Sequence, residues 1–247
     1  MCGRFVSTSS PEQIASIFNA SFEAVPLPAN YNVAPTNDIL AVAAGSGSDM
    51  SSVLPAVRAF HWGLVPAWAK DTKIGSSMIN ARAETLAEKP TFKGLLRRRR
   101  CIVPMDAFYE WQAPAPGAPL GPKGKPLKQP MYIHRVDNQL LAVAGLWSAW
   151  RDKASSDDGP WLHTCTIITT SANTTMAPVH DRMPAILPPD VWSRWLDPAF
   201  DDASLLAQWL VPAPDGVLEM YPVSTLVNNV RNKGAELVER VDPSAFA

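Results

Sequence analysis

The first two residues of the chain carry the groups with the most distinctive chemistry in the sequence. Cys2 directly follows Met1, and a residue this small normally allows an aminopeptidase to remove the initiator methionine. Removal leaves one residue with both a free α-amine, whose ordinary pKa is about 7.7–8.0, and a thiol. A 1,2-aminothiol condenses with an aldehyde through its amine and then closes a five-membered thiazolidine ring through its sulfur. The alternative is an incidental cysteine in a frayed terminus.

A carboxylate lies inside an aromatic run, at Glu110 in Phe108-Tyr109-Glu110-Trp111. Side chains alternate between the two faces of a strand. Glu110 therefore either faces solvent or is buried with a raised pKa, as an acid–base group would be.

Two sets of residues could bind a polyanion. Four arginines follow one another at 97–100, either as a solvated charged face or as phosphate contacts. Trp62 and Trp68 flank a segment broken by Gly and Pro. Such rings either belong to the core or remain exposed for stacking.

Composition narrows the class of protein. The 247 residues are 47% hydrophobic and 18% charged, which is typical of a globular domain. With a formal net charge of −1, a polyanionic partner must be held by a local basic patch. The three cysteines contain no Cys-x-x-Cys pair, which argues against a zinc site and favours a reducing compartment. No signal peptide or membrane span is evident, so we expect a cytoplasmic protein.

The pattern of residues favours β-structure with short helices. Ser10 and Gln13 form a capping box ahead of a helix whose apolar face carries Ile14, Ile17 and Phe18. Further short helices are predicted after residue 80 and over 189–196 and 202–210, with long loops at 45–52, 113–129 and 151–159. Strands are predicted at 39–43, 101–104, 107–111, 130–136, 140–147, 163–170 and 221–224. We therefore expect one β-rich α+β domain over 1–247, with antiparallel, barrel-like sheets, peripheral helices and a loose C-terminal tail.

Four elements in this order closely resemble the SRAP family (SOS response-associated peptidase). They are Cys2-Gly3-Arg4-Phe5, Asn80-Ala81-Arg82-Ala83-Glu84-Thr85, Phe108-Tyr109-Glu110-Trp111 and His180-Asp181-Arg182-Met183-Pro184. Further matches are at 31–35, 62–68, 144–147 and 222–224, so the resemblance runs from Cys2 to about residue 228. The chain departs from the family at Ala107, where glycine is usual, and in a longer loop at 113–129.

The resemblance implies a reaction with damaged DNA. Family members crosslink to abasic sites in single-stranded DNA, in which Cys2, freed of Met1, attacks the aldehyde of the ring-opened deoxyribose. The positions that match the family's catalytic set are Cys2, Asn80, Glu110 and His180, and those that match its DNA contacts are Arg4, Trp62, Trp68, Arg82 and Arg182. The resemblance implies no metal or cofactor. It implies a monomer that acts on abasic single-stranded DNA, with the replication machinery as a candidate partner and the nucleoid as its location in a bacterium.

Elementary chemistry agrees with these roles. A carboxyl group with a raised pKa, at Glu110, can exchange protons during imine formation, and His180 titrates in the range that sugar ring opening requires. Asn80 can hold the amine or the sugar without titrating. Arg82 and Arg182 offer forked donors to phosphates, a track that the run at 97–100 would extend.

Three other functions remain open at this point. Met-Cys-Gly also begins N-terminal-nucleophile amidotransferases, which release ammonia from glutamine with a Cys2 thiol. The family's name suggests a cysteine peptidase that uses Cys2 and His180. A non-catalytic single-strand binder would need neither, and trapping of a covalent adduct separates it from the crosslinking reaction.

Overall fold

The computed structural model describes residues 2–23, 26–45, 54–114, 120–121, 124–152 and 159–242. Strands dominate these residues, as the sequence predicts. They are β1 (Phe5–Ser7), β2 (Ser21–Phe22), β3 (Asn30–Val33), β4 (Asp38–Ala44), β5 (Pro55–Trp62), β6 (Asn80–Arg82), β7 (Arg100–Met105), β8 (Ala107–Gln112), β9 (Gln129–Arg135), β10 (Leu141–Trp150), β11 (Leu162–Ser171), β12 (Arg182–Pro184) and β13 (Leu218–Pro222). The α-helices are α1 (Pro11–Phe18), α2 (Pro90–Arg98), α3 (Trp192–Leu196) and α4 (Ala203–Gln208).

The larger sheet closes into a barrel. Strands β11, β10, β7, β4 and β5 pair in that order, and β5 returns to pair with β11. Cys165 of β11 is thereby opposite both Trp147 of β10 and Trp62 of β5. Only the closing β5–β11 pair is parallel among the five pairings of this ring. The expectation of antiparallel, barrel-like sheets is confirmed.

A second sheet of five strands, ordered β13-β9-β8-β1-β3, packs beside the barrel. Ala41, Val103 and Val143 of the barrel share one apolar cluster with Phe5 and Phe108 of this sheet. The opposite faces of the barrel strands contact the helices in a second cluster. The first cluster therefore fills the barrel and the space between the sheets, while the helices cover the outside.

Helix α1 follows from its local sequence. The Ser10 side chain accepts a hydrogen bond from the Gln13 amide, and the Gln13 side chain accepts one from the Ser10 amide, which satisfies two donors at the helix start. Ile14 and Phe18 are buried, as predicted. Ile17 is 42% exposed, so its assignment to the buried face is wrong, because only the i and i+4 positions of this short helix reach the barrel.

The structure corrects the segment after Asn80. The predicted helix is instead strand β6, which pairs in parallel with β11 at Ile167 to Thr169, followed by a single 3-10 turn at Ala83–Thr85. Pairing with a strand distant in sequence overrides the local preference. The predicted helix at 189–196 is a 3-10 turn, Pro189–Val191, that continues into α3.

Two further features concern the predicted loops and membrane segments. Much of the loops at 45–52, 113–129 and 151–159 lies outside the described residues. Within the described part of the chain, no helix is long and apolar enough to cross a membrane.

Candidate active site

Cys2 lies buried just before β1. The Asn80 side-chain amide donates a hydrogen bond to the Cys2 backbone carbonyl over 2.9 Å. Asn80 is the first residue of β6, and its pairing with Ile167 of β11 fixes its position against the barrel. The start of the chain is therefore held in the core, and the frayed terminus considered above is excluded for Cys2.

Glu110 reaches the same place from β8. Phe5 pairs with Phe108, and the Tyr109 amide donates to the Arg4 carbonyl over 3.0 Å. Continuing this antiparallel register puts Glu110 beside the residues that precede Arg4. Glu110 is 4% exposed, and this burial raises the pKa of its carboxyl group. Of the two readings of this carboxylate, the buried one is therefore confirmed.

The thiol of Cys2 and the carboxyl group of Glu110 affect each other. Burial is the largest cause that raises the pKa of the Cys2 thiol well above its ordinary value, and the negative charge of Glu110 is the next. Because both causes disfavour the thiolate, the sulfur is held as a neutral thiol at neutral pH.

His180 lies in the segment before β12. Its positive charge opposes the effect of burial on the pKa of Glu110, which requires the two side chains to be near each other. The Arg182 amide donates to Nδ1 of His180 over 2.9 Å, and Asp181 Oδ1 lies 2.8 Å from the same nitrogen. These contacts favour opposite protonation states of Nδ1. We give the amide more weight because the Asp181 side chain is 86% exposed and its charge is screened. In the neutral ring Nδ1 is then the acceptor and the proton lies on Nε2, whereas in the protonated ring the Nδ1 proton faces Asp181 Oδ1.

The four positions of the expected catalytic set are thus close together, although they are spread along the sequence from residue 2 to residue 180. The Asn80 Oδ1 atom is buried and has no hydrogen-bond partner among the described residues. This oxygen can accept a hydrogen bond from an amine beside Cys2. Among the described residues, no group of three or more His, Cys, Asp or Glu is placed to hold a metal ion.

The two tryptophans expected to contact DNA have opposite environments. Trp62 is fully buried, donates from Nε1 to the Ile79 carbonyl over 3.0 Å and meets Phe5 edge to face at 5.2 Å between ring centroids. The expectation that its ring remains exposed for stacking is wrong, because Trp62 ends a barrel strand and points into the core. Trp68 is 61% exposed and retains a free ring surface.

The three single arginines also differ. Arg4 donates from Nη1 to Asn32 Oδ1 over 2.8 Å and to the Val227 carbonyl over 2.9 Å, so it ties β1 to the C-terminal segment. Arg182 forms a two-pronged ion pair with Glu84, at 2.5 and 2.9 Å. Arg82 is exposed and is the most accessible of the three to a phosphate.

The run of arginines at 97–100 is not one surface. Arg100 is 3% exposed, and burial lowers the pKa of its guanidinium to about 10. Its donors bind a set of backbone carbonyls, those of Trp195, Leu96, Arg97, Asp197 and Phe200. The expectation that the whole run binds phosphate is therefore wrong for Arg100, which joins α2 to the end of α3. Arg97 and Arg98 remain exposed.

Two residues near the site escape sequence reasoning. Lys128 acts electrostatically on Glu110 and lowers its pKa, yet it belongs to a Pro-, Gly- and Lys-rich stretch with no motif. Glu84 forms an ion pair with Arg182, which also donates to the Thr169 carbonyl, and this arrangement exists only after β6, β11 and β12 have come together. The family element at 80–85 contains Glu84, but it does not indicate this partner.

Comparisons with known proteins agree with this arrangement. The family model described as SOS response associated peptidase (SRAP) matches residues 1–230. The abasic site processing protein YoqW of Bacillus subtilis (strain 168) is 42% identical over 97% of this chain and 99% of its own. The abasic site processing protein YedK of Escherichia coli (strain K12) is 30% identical over 98% and 100%. A crystal structure of a protein from Bacteroides thetaiotaomicron superposes with a TM-score of 0.80 at 27% identity, over 97% of this chain and 100% of that one. The chain belongs to the SRAP family.

Proposed function

We propose that this protein processes abasic sites in single-stranded DNA and that Cys2, once Met1 is removed, forms a stable thiazolidine with the lesion. Relatives across nearly the full length of the chain are named abasic site processing proteins. The observation that carries the proposal is the hydrogen bond from Asn80 to the Cys2 carbonyl at 2.9 Å. This hydrogen bond holds Cys2 beside the buried carboxyl group of Glu110. Once Met1 is removed, Cys2 carries an amine and a thiol on one residue.

The reaction begins on the sugar. An abasic deoxyribose is a cyclic hemiacetal, and its opening to the aldehyde moves a proton from the anomeric hydroxyl to the ring oxygen. His180, when its ring is protonated, can donate the Nε2 proton to the ring oxygen and then take the proton that the anomeric hydroxyl loses. Its proximity to Glu110 puts both groups at one lesion.

The next step joins the protein to the DNA. The α-amine of Cys2 adds to the aldehyde carbon, and the protonated carboxyl group of Glu110 supplies the proton with which the hydroxyl leaves as water. This gives an imine. The raised pKa of Glu110 suits the role, because a buried carboxyl group keeps its proton nearer to neutral pH. Asn80 Oδ1, which has no hydrogen-bond partner among the described residues, can orient the amine by accepting a hydrogen bond from it.

Ring closure then makes the adduct stable. The Cys2 sulfur attacks the imine carbon and forms the C–S bond. The C=N π electrons move to nitrogen, which keeps the hydrogen that it carries in the protonated imine, and the Glu110 carboxylate accepts the thiol proton. Protons and bonds balance without any external reagent, and the net product beyond the adduct is one water molecule.

The state of the thiol favours this route over the alternatives. A peptidase or a glutamine amidotransferase that used Cys2 would need an activated thiolate. Here burial and Glu110 raise the thiol pKa, so the amine is the better first nucleophile. The thiol needs to react only once the imine carbon is held beside it.

Exposed groups support binding of a single strand. Trp68 offers a ring for base stacking, and Arg82 a guanidinium for phosphate. The test incubates the protein with single-stranded DNA that carries one abasic site, followed by a denaturing gel. We expect a heat-stable shifted band with wild type and none with Cys2→Ala, which should still bind undamaged DNA. Absence of the band with wild type, or its persistence with Cys2→Ala, would contradict the proposal.

A further inference from the structure

A second group of cationic and aromatic side chains surrounds the Trp147 indole. The Arg58 guanidinium lies 5.4 Å from the centre of this ring and that of Arg99 lies 4.8 Å away. His163 meets the same ring edge to face at 5.8 Å between centroids. Phe60 contacts both Trp147 and His163 from the barrel side. We name Arg58, Arg99, Trp147 and His163 the Trp147 cluster.

The Trp147 cluster is separate from the candidate active site. His163 is near the start of β11, while Asn80 pairs with β11 at Ile167 and Arg182 pairs at its end, with Ser171. At about 3.3 Å per residue, His163 is about 13 Å along the strand from the Asn80 pairing and about 26 Å from Ser171. Arg58 and Arg99 come from β5 and from the residue after α2, so the cluster lies at the other end of the barrel.

The charges in the Trp147 cluster are of one sign. Burial first, and then the positive charges of Arg58 and Arg99, lower the pKa of His163. Neither Arg99 nor His163 forms an ion pair with a carboxylate among the described residues. Glu23 acts electrostatically on Arg58 and is its acidic neighbour. Positive charge therefore predominates among the described residues of this cluster, and an incoming anion would relieve their mutual repulsion.

The cluster is also well organised to receive an anion. Stacking on an indole fixes the plane of a guanidinium and leaves its N–H edge available. Arg58 Nη2 lies 3.4 Å from Nε2 of His163; donation to that nitrogen puts the imidazole proton on Nδ1. All four side chains of the cluster carry nitrogen donors and are half-buried, so the fold already restricts their conformations before an anion binds.

Exposed aromatics lie at the same end of β10 as the Trp147 cluster. Trp150 donates from Nε1 to the carbonyl of Ala69 over 2.9 Å, which fixes the loop that carries Trp68 beside the end of β10. Trp161, two residues before His163, is 55% exposed, and Trp68 is 61% exposed. Trp68 therefore lies at the end of β10 that carries the Trp147 cluster, and a strand of DNA that stacks on Trp68 can continue toward the cluster.

We propose that the Trp147 cluster is a second anchor for single-stranded DNA, in which Arg58 and Arg99 bind phosphates of the strand at a distance from the abasic site. This inference rests on the proposed function for the identity of the polyanion. It adds a surface at the far end of the barrel, which none of the expected DNA contacts Arg4, Arg82 or Arg182 occupies. Its role is to hold the strand by its backbone and not by its bases, so it is independent of sequence and of the lesion.

The test measures non-covalent affinity for an undamaged single-stranded oligonucleotide of about 30 nucleotides as salt is varied, for wild type and for the double variant Arg58→Gln/Arg99→Gln. Each neutralised phosphate contributes about −0.7 to the slope of log affinity against log salt. We expect the slope to become shallower by about 1.4. Between about 50 and 200 mM salt, wild type should then lose about 7-fold more affinity than the variant.

Two controls make the result specific. Arg240 lies 4.7 Å from the centre of the Tyr221 ring, in the other sheet, so Arg240→Gln removes a stacked arginine elsewhere and should leave the slope unchanged. Arg58→Lys/Arg99→Lys keeps the charge and should keep the wild-type slope. Thermal melting checks that each variant is folded. If the double glutamine variant does not fold, Arg99→Gln alone should reduce the slope by about 0.7.

An unchanged slope in the folded glutamine variant, or an equal loss in Arg240→Gln, would overturn the second anchor. Because the measurement uses undamaged DNA, it is separate from crosslinking. Failure of the crosslink with an intact salt effect would count against the proposed reaction alone, and a normal crosslink with no salt effect would count against the anchor alone.

Discussion

The Asn80 side-chain amide donates a hydrogen bond of 2.9 Å to the backbone carbonyl of Cys2. This contact joins the start of the chain to strand β6, whose parallel pairing with β11 makes it part of the barrel. Cys2 is therefore held by a strand that pairs with the barrel, although it lies near a chain terminus, where order is usually lowest.

Replacement of Asn80 should slow crosslinking without preventing DNA binding. Asn80→Ala removes a neutral hydrogen bond worth about 0.5–1.5 kcal/mol, so we expect a single-turnover rate about 2- to 10-fold lower from this contact alone. Asn80→Asp keeps the shape but cannot donate to the Cys2 carbonyl, and should be at least as slow. An unchanged rate in both variants would show that the contact does not position Cys2.

Replacement of Glu110 should separate stability from activity. Because burial raises the pKa of Glu110 in the folded state, the native protein binds this proton more tightly than the unfolded chain does. Stability from this group is therefore present below its ordinary pKa and is lost as pH rises through the folded value. Glu110→Gln should melt higher than wild type at pH 7–8, with a difference that shrinks toward pH 4.

The same variant should crosslink about 10²–10⁴-fold more slowly, since a general acid–base group typically contributes that much. The measurements are thermal melting across pH and single-turnover crosslinking at saturating abasic DNA. Wild-type rates, or a variant that is less stable at neutral pH, would refute the role of a buried proton carrier.

Replacement of Trp62 and replacement of Trp68 by alanine should have opposite effects on stability and DNA binding. Trp62→Ala empties a fully buried site and should cost about 3–5 kcal/mol of stability. Trp68→Ala removes a largely exposed ring and should leave the melting temperature nearly unchanged. Its affinity for undamaged single-stranded DNA should fall by about 1–3 kcal/mol, the usual contribution of one stacked base. Chemical denaturation and a binding titration of both variants check this, and equal affinity of Trp68→Ala would exclude its stacking role.

Neighbouring arginines of the basic run should also differ. Arg100→Gln leaves several buried carbonyls without their donor, and at about 1–3 kcal/mol for each unsatisfied group it should destabilise the protein by about 3 kcal/mol or more. Arg97→Gln changes an exposed side chain and should stay within about 0.5 kcal/mol of wild type. Urea unfolding of Arg100→Gln and Arg97→Gln measures the difference in their free energies of unfolding. Similar unfolding midpoints for the two variants would contradict the structural role of Arg100.

Local sequence signals account for most of the secondary structure. The capping box at Ser10 and Gln13 marks the start of α1, because both partners lie within one turn. Four strands of the barrel, β4, β7, β10 and β11, are rich in β-branched and apolar residues and overlap strands that the sequence predicts. In contrast, β6 has only three residues and exists because β11 pairs with it, which local sequence does not report.

The site shows the same division. The identities of Cys2, Asn80, Glu110 and His180 came from a family pattern, and the structure brings them together. Their surroundings were less predictable. Trp62 and Trp68 are both tryptophans of one motif. Trp62 is buried because it ends β5, whereas Trp68 is exposed because it lies in the loop that follows. Arg99 and Arg100 are adjacent, yet one stacks on Trp147 and the other binds carbonyls, since the chain changes direction between the end of α2 and the start of β7.

The central claim is that the amine and the thiol of one residue react together, and blocking the amine alone tests it most directly. An uncleavable extension before Cys2 turns its amine into an amide, whose lone pair is delocalised, while the thiol is retained. Intact mass establishes which form is present, and a denaturing gel measures heat-stable adduct with one abasic oligonucleotide for trimmed and extended protein. We expect stable adduct from the trimmed protein and none from the extended one, even when Cys2 of the extended form still reacts with a thiol reagent in the unfolded protein. Undiminished adduct from the extended form would contradict the aminothiol mechanism and favour a simple cysteine nucleophile.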